Sequence, residues 1–220
     1  MYTTCMDAIK DDKETGRIEA FSDGVFAVAI TLLVLNIQVP SPLPPDTGLI
    51  AFLFRHQWPY YLAFLTSFAT IGIMWINHHR LYTHIKRTDN NLMVLNLLLL
   101  LIIVFIPFPT ALLAQYIFDP NEHQAAAFYS GVSCVMAICF NLLWRYAAHE
   151  NRLLARDADQ HAVKAITNHY MFGPLLYLIT FGVAWISGPV SIALNLLLAV
   201  FFALPGKRLV KQGEGEQKEQ

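Results

Sequence analysis

Between Arg17 and Val39 the chain reads RIEAFSDGVFAVAITLLVLNIQV, and from Phe21 onward its single ionisable side chain is Asp23. At a rise of about 1.5 Å per residue this run is roughly 30 Å long as a helix, the thickness of a bilayer's hydrocarbon core. Lipid is the solvent that suits such a segment, and in lipid the backbone must satisfy its own hydrogen bonds. An aspartate placed there costs about 2.5–3.5 kcal/mol on insertion, so it needs a partner or a task.

Five more apolar runs follow. With the first at 18–39 they occupy 58–80, 91–114, 124–147, 164–186 and 189–205. The connections are polar: a proline-rich loop from Pro40 to Pro45, then RLYTHIKRTDN, YIFDPNEHQ, AAHENRLLARDADQHAVK and a tight SGP turn. The predicted fold is therefore an all-α membrane protein of six transmembrane helices. Only 14% of the residues are charged, where a soluble domain needs about 25%. Residues 1–17 form a polar N-terminus, 18–205 one six-helix domain, and 206–220 a polar tail expected to be disordered. Pro107 and Pro109 in IPFP should kink the third helix, and Gly173-Pro174 the fifth. A cleaved signal peptide is not expected, because the first apolar run is too long and acidic residues precede it. Cys134 and Cys139 lie in an apolar run and Cys5 in the polar N-terminus; without a paired or CxxC spacing they read as packing thiols.

Basic residues orient the bundle. If the N-terminus is inside and six helices alternate, the inside segments hold Lys10, Lys13, Arg17, Arg80, Lys86, Arg87, Arg145, Arg152, Arg156, Lys164, Lys207, Arg208, Lys211 and Lys218. Of the 15 Lys and Arg, only Arg55 then lies outside. This bias predicts that both termini are cytoplasmic in a multi-pass protein of the plasma or inner membrane, with lipid as its surroundings.

At 100° per residue, Val28, Thr31, Leu32, Leu35 and Gly24 fall on one stripe of the first helix, and Asp23 falls on the opposite side. Any membrane helix shows some Leu/Val stripe, so the wheel alone does not make this one a lining. It does turn Asp23 toward neighbouring helices. The second helix runs back and ends in MWINHHRLY, which places Trp75, Asn77, His78 and His79 near the depth of Asp23. A hydrogen bond from a histidine or from Trp75 would satisfy the carboxylate without water.

The signature Arg17-x-x-x-Phe21-Ser22-Asp23 at the start of a first membrane helix resembles that of the transmembrane protein 175 family of potassium channels. The likeness continues through GVFAVAITLLVL and returns as WINHHR in the second helix, while the last four helices match in pattern alone. The resemblance implies a potassium-selective cation channel whose pore is lined at the oligomer axis by the first helix of each subunit. Apolar rings act as a hydrophobic gate. By position, Val28 sits at the narrowest ring, Leu32 and Leu35 further out, and Thr31 where family members carry a hydroxyl implicated in selectivity. The family often has Ile or Leu where this chain has Val28; the smaller side chain gives a wider ring, so a leucine ring is an alternative gate. Arg17, Phe21, Ser22 and Asp23 with Trp75, Asn77, His78 and His79 are implied to anchor the first helix. The family's single-repeat members resemble tetramers, so a homotetramer is implied, with K+ as the permeant ion and no cofactor.

Other chemistry is poorly supported. The chain has no TVGYG-like filter segment and no HExxH. HIKRTD, His84 to Asp89, has the HxxxxD spacing of some acyltransferases, but two residue types at one spacing are weak and an enzyme is not expected. No metal site is expected, and the basic residues follow the membrane face rather than a nucleic-acid stripe. HENRLLARDAD suits a short surface helix, with His149, Glu150 and His161 as solvated loop residues. Asp46, Asp119 and Glu122 are outside carboxylates. The second reading is a proton- or cation-coupled secondary transporter using Asp23 and the nearby histidines. Transporters usually show paired repeats and mid-membrane binding groups, and neither is visible; the prolines at 107, 109 and 174 speak for it.

Overall fold

The computed structural model describes residues 2–37, 48–155 and 158–203, with side chains from Glu14 onward and that of residue 162 set aside. The proline-rich loop, Asp46, Arg156, the end of the first apolar run and everything after 203 lie outside the described residues. So do the side chains of Cys5, Lys10 and Lys13.

Among the described residues the regular elements are all helical. They are α1 (Tyr2–Leu32), α2 (Leu49–Arg55), α3 (Trp58–His84), α4 (Asn90–Phe105), α5 (Pro107–Tyr116), α6 (Glu122–Ala148), α7 (Gln160–Met171), α8 (Gly173–Ala184) and α9 (Gly188–Ala203). Among the described residues four helical runs are long and apolar enough to cross a membrane: Glu14–Asn36, Trp58–His84, Asn90–Tyr116 and Glu122–Asn151. Where the sequence predicts a fifth and a sixth span, the structure has two 12-residue helices, α7 and α8, meeting at Phe172, and the 16-residue α9.

Local chemistry explains the breaks. Pro107 has no N–H to give Ile103, whose carbonyl is taken by the Ile106 N–H at 3.2 Å instead, and the run divides into α4 and α5 there. Pro174 opens α8 in the same way, with proline in the first turn where no N–H is needed. The start of α1 differs from the expectation: it is helical from Tyr2, through the tract assigned to a polar terminus. That tract contains no proline, and its polarity comes from Asp7, Lys10, Asp11, Asp12, Lys13, Glu14 and Arg17, side chains that a solvated helix accommodates, so polarity there does not oppose helix. The helix also tightens to a 3-10 turn at Leu33–Asn36, and Ile37 leaves helical geometry. The short α2, after the proline-rich loop, was not foreseen.

The long α6 is the centre of the bundle, packed by α4, α5, α7, α8 and α9, while α1 leans on α3 and α4. In lipid there is no hydrophobic drive between helices, and small residues and polar bonds hold them together. Here Ser67 meets Thr110 at 2.6 Å and Tyr129 at 3.3 Å, tying α3, α5 and α6. Ser130, Ser191 and Asn195 pair at 2.9 Å across α6 and α9, and the Ser191 hydroxyl donates to the Thr180 carbonyl of α8 at 2.7 Å. Alanines 125, 126 and 127 let the neighbours approach; a Cβ at Gly188 would lie 3.5 Å from that of Ala126.

The predicted surface helix at HENRLLARDAD is not formed. Among its described residues only His149–Asn151 is helical, as a 3-10 turn in which Glu150 and Asn151 take the left-handed conformation (φ 53° and 55°). This reversal buries Leu153 and Leu154. Leu154 bridges Ile85, the Lys86 and Arg87 amides donate to the Leu153 carbonyl, and the Arg87 guanidinium donates to the carbonyls of Asn151 and Leu154. Two apolar leucines in the polar tract thus become a strap across the α3–α4 connection.

Candidate functional site

The first helix has two unlike faces. Ser22, Phe26, Ala29 and Leu33 are buried against α3 and α4. The other face is uncovered in the single chain: Val28 is 54% exposed, Leu32 38% and Leu35 67%. Thr31 is exposed on that same side, and its hydroxyl donates to the Val28 carbonyl at 2.9 Å. With its proton used on the helix itself, the Thr31 oxygen keeps its lone pairs unused on that face.

Asp23 is half-buried at the edge between those faces, and its Oδ1 accepts from the Trp75 indole N–H at 2.8 Å. The partner is therefore the tryptophan rather than a histidine. His79 pairs instead with Glu19, one turn before Asp23, at 2.6 Å, and its ring stacks on Trp75. His78 points inward. It is fully buried between the rings of Phe26 and Tyr82, and its Nε2 lies 2.9 Å from Asn96 Oδ1. The Asn96 amide donates to the Ser22 hydroxyl at 2.9 Å, and Ser22 donates to the Ile18 carbonyl at 2.8 Å. Since the Asn96 amide nitrogen faces Ser22, its oxygen accepts, and the proton of His78 sits on Nε2. Its Nδ1 is buried and has no partner among the described residues.

Of the predicted cluster, Ser22, Asp23, Trp75, His78 and His79 come together at the α1–α3–α4 junction. Arg17, Phe21 and Asn77 do not join it. Arg17 is exposed, Phe21 is 55% exposed, and neither is hydrogen-bonded to the cluster among the described residues. Asn77 faces the other side of α3, where it accepts from Tyr170 at 3.2 Å and from Arg80 at 3.4 Å. Two members were not foreseen. Glu19 lies within the quoted signature, and Asn96 is the polar interruption in an otherwise apolar NLMVLNLLLLL run, which was the signal available for it.

The Trp75 indole is 41% exposed, so its bond to Asp23 is made at a rim rather than in the core. Replacing Trp75 by Phe keeps the ring and removes the donor. A hydrogen bond to a charged group contributes about 1.5–3 kcal/mol, and exposure lowers this toward 1 kcal/mol. The thermal unfolding midpoint of purified Trp75→Phe is expected to fall by roughly 2–4 °C; an unchanged midpoint means that the bond does not hold α1.

The remaining candidates have structural employment. Asp89 caps α4, accepting from the Leu92 amide at 2.8 Å, and also accepts from the Tyr146 hydroxyl at 2.5 Å. His84 lies edge-on to the Trp144 ring. Asp119 holds the Asn121 amide and side chain, and Glu122 pairs with His123 at 3.8 Å. Among the described residues no three His, Cys, Asp or Glu side chains converge as metal ligands would.

Residues 17–107, which hold α1 from Arg17 onward, α2, α3, α4 and this junction, match the family model described as endosomal/lysosomal potassium channel TMEM175. The chain is 53% identical over 195 residues to potassium channel Cha6605_3372 of Chamaesiphon minutus, covering 88% of this chain and 96% of that one. It is 44% identical over 190 residues to potassium channel B446_29190 of Streptomyces collinus, covering 86% and 91%. The crystal structure of a lysosomal potassium-selective channel TMEM175 homolog from Chamaesiphon minutus superposes with a TM-score of 0.79 at 49% identity, over 87% of this chain and 97% of that one.

Proposed function

This chain belongs to the TMEM175 family of potassium channels, and we propose that it conducts K+ through a pore lined by α1 at the axis of a homotetramer. The observation that carries this reading is the uncovered Val28–Thr31–Leu32–Leu35 face of α1, set opposite a face packed on its own subunit. One helix cannot enclose a path for ions; four such faces can. In the proposed membrane arrangement the chain crosses six times with both termini cytoplasmic, counting α7–α8 together and α9 as the last two spans, in the plasma or inner membrane. It is a channel, not an enzyme.

The mechanism follows from the side chains. Rings of Val28, Leu32 and Leu35 offer no hydrogen bond to water, so a narrow pore dewets there and the ion path is interrupted without a plug. Widening the ring lets a hydrated column form. The Thr31 oxygens, between the Val28 and Leu32 levels, are the polar group such a column meets on this face. The Ser22–Asn96–His78 and Asp23–Trp75 bonds fix α1 one to two turns before Val28, so that ring geometry is set by the subunit bodies rather than by a floppy helix.

Purified protein reconstituted in planar bilayers is expected to give discrete unitary currents carried by K+. Slow, gradient-coupled flux without unitary events would instead assign it to a transporter. Thr31→Val keeps the shape and removes the hydroxyl; the preference for K+ over Na+ is expected to fall. Unchanged preference would remove Thr31 from the ion path.

A further inference from the structure

Among the described residues, the outer end of the first helical run, the last turns of α1 with the 3-10 turn that follows, has one polar attachment to another element. From Val28 to Ile37, among the described residues, only Asn36 hydrogen-bonds a side chain to another element: its Nδ2 donates to the Pro107 carbonyl at 2.8 Å. Asn36 ends the 3-10 turn, directly after the exposed Val34 and Leu35, while Leu33 in the same turn is fully buried. The Ile37 amide closes back on Val34 at 3.0 Å, so the turn is a finished unit rather than a fraying end.

The acceptor sits on a fixed post. Pro107 and Pro109 break the α4–α5 run at Ile106, and α5 is held in place one turn later by Thr110. The Thr110 hydroxyl donates to the Ile106 carbonyl at 2.8 Å and pairs with Ser67 of α3 at 2.6 Å, which in turn meets Tyr129 of α6. Those three residues are buried. A bond from Asn36 to this post draws the end of α1 toward its own subunit and away from the face that carries Leu35.

We infer that Asn36 is a positioning residue that latches the outer end of the pore helix to the proline break at Pro107 and so favours a wide Leu35 ring. The inference rests on the reading of α1 as the pore helix. Two points then hang α1: the Ser22–Asn96 and Asp23–Trp75 bonds at one end and Asn36 at the other, with apolar packing of Phe26, Ala29 and Leu33 between. Releasing the outer point leaves Val28 and Thr31 held and lets Leu35 lean toward the axis.

The test is Asn36→Leu, of similar size but without the donor, recorded beside Asn36→Gln, which keeps the donor on a longer arm. A hydrogen bond of ordinary net strength corresponds to about a two- to tenfold effect. Asn36→Leu is expected to lower the open fraction by about that factor, with unit conductance and K+ over Na+ preference unchanged, and Asn36→Gln is expected to recover part of the loss. An open fraction equal to the parent's in Asn36→Leu, or Asn36→Gln as impaired as Asn36→Leu, overturns the latch. If Asn36→Leu yields no tetramer, Asn36→Asp serves: it is isosteric and turns an oxygen toward the Pro107 carbonyl, so the open fraction must fall, and an unchanged one overturns the proposal. Val28→Asn and Thr31→Val recorded alongside separate the two readings. If neither alters current or ion preference, the pore assignment fails; if they do and the Asn36 variants do not, only the latch fails.

Discussion

Asn96→Leu is expected to destabilise each subunit by about 1–3 kcal/mol, lowering the unfolding midpoint by roughly 2–12 °C, and to reduce the yield of assembled protein. The size of the effect comes from His78. Among the described residues its Nε2 proton has one acceptor, Asn96 Oδ1, and its Nδ1 has no partner. Moving the proton to the other ring nitrogen rescues nothing, because no acceptor waits there. With leucine at 96 the imidazole is left buried between Phe26 and Tyr82 with no hydrogen bond at all. Ser22 loses little, since its hydroxyl still donates to the Ile18 carbonyl at 2.8 Å. Interhelical hydrogen bonds in membranes average only about 0.6 kcal/mol when both partners can find substitutes; a trapped imidazole cannot.

The control is Asn91→Ala, one and a half turns earlier on the same helix. Asn91 is exposed and donates to Tyr146, whose hydroxyl remains engaged by Asp89 at 2.5 Å. Its midpoint is expected to stay within about 1 °C of the parent's, as for exposed substitutions in general. Thermal melts of the two variants in one detergent decide the matter. Equal shifts would mean that α4 tolerates loss of asparagine anywhere and that the Ser22–Asn96–His78 chain is not a clamp.

That clamp shows how far the sequence could be read. Asp23 stood out because a lone carboxylate in an apolar run demands a partner, and antiparallel helices put Trp75 at its depth. Which of three aromatic candidates would take the bond depended on the rotation of α3: at 100° per residue Trp75 and His79 fall only 40° apart and stack on one side, while His78 is turned 100° from His79 toward α4. So Trp75 meets Asp23, His79 meets Glu19, and His78 turns inward to α4. Asn77, between them in sequence, faces α7 and Tyr170. Prolines 107, 109 and 174 announced their breaks, since a missing N–H is a local fact. The strap of Leu153 and Leu154 over Ile85 was not legible: it needs a left-handed turn at Glu150 and Asn151, residues that carry no glycine signal, and a pairing set by distant chain. The helical tract before Arg17 was missed for the opposite reason, because a polar composition was taken as a boundary when it only marks a change of solvent.

Val28→Asn is expected to increase K+ current through the reconstituted channel at least tenfold at fixed voltage. Asparagine is close to valine in size, so the substitution changes wetting more than bore. A closed apolar ring resists ions because water will not fill it, and the resistance depends on the apolar surface that lines it. Each CH2-sized group is worth about 0.8 kcal/mol. Valine brings two methyls per subunit, and removing even two from the whole ring supplies more than the 1.4 kcal/mol that a tenfold change requires. Val28→Ile should act in the reverse direction, adding apolar surface at the same level and lowering the current. The same asparagine at Leu32 and at Leu35, both exposed on the α1 face, locates the tightest ring: the site with the largest rise is the gate. If Leu35→Asn rises and Val28→Asn does not, the smaller valine has yielded the gate to the outer leucine, the ring nearest Asn36. If current is unchanged at all three, α1 does not close this pore.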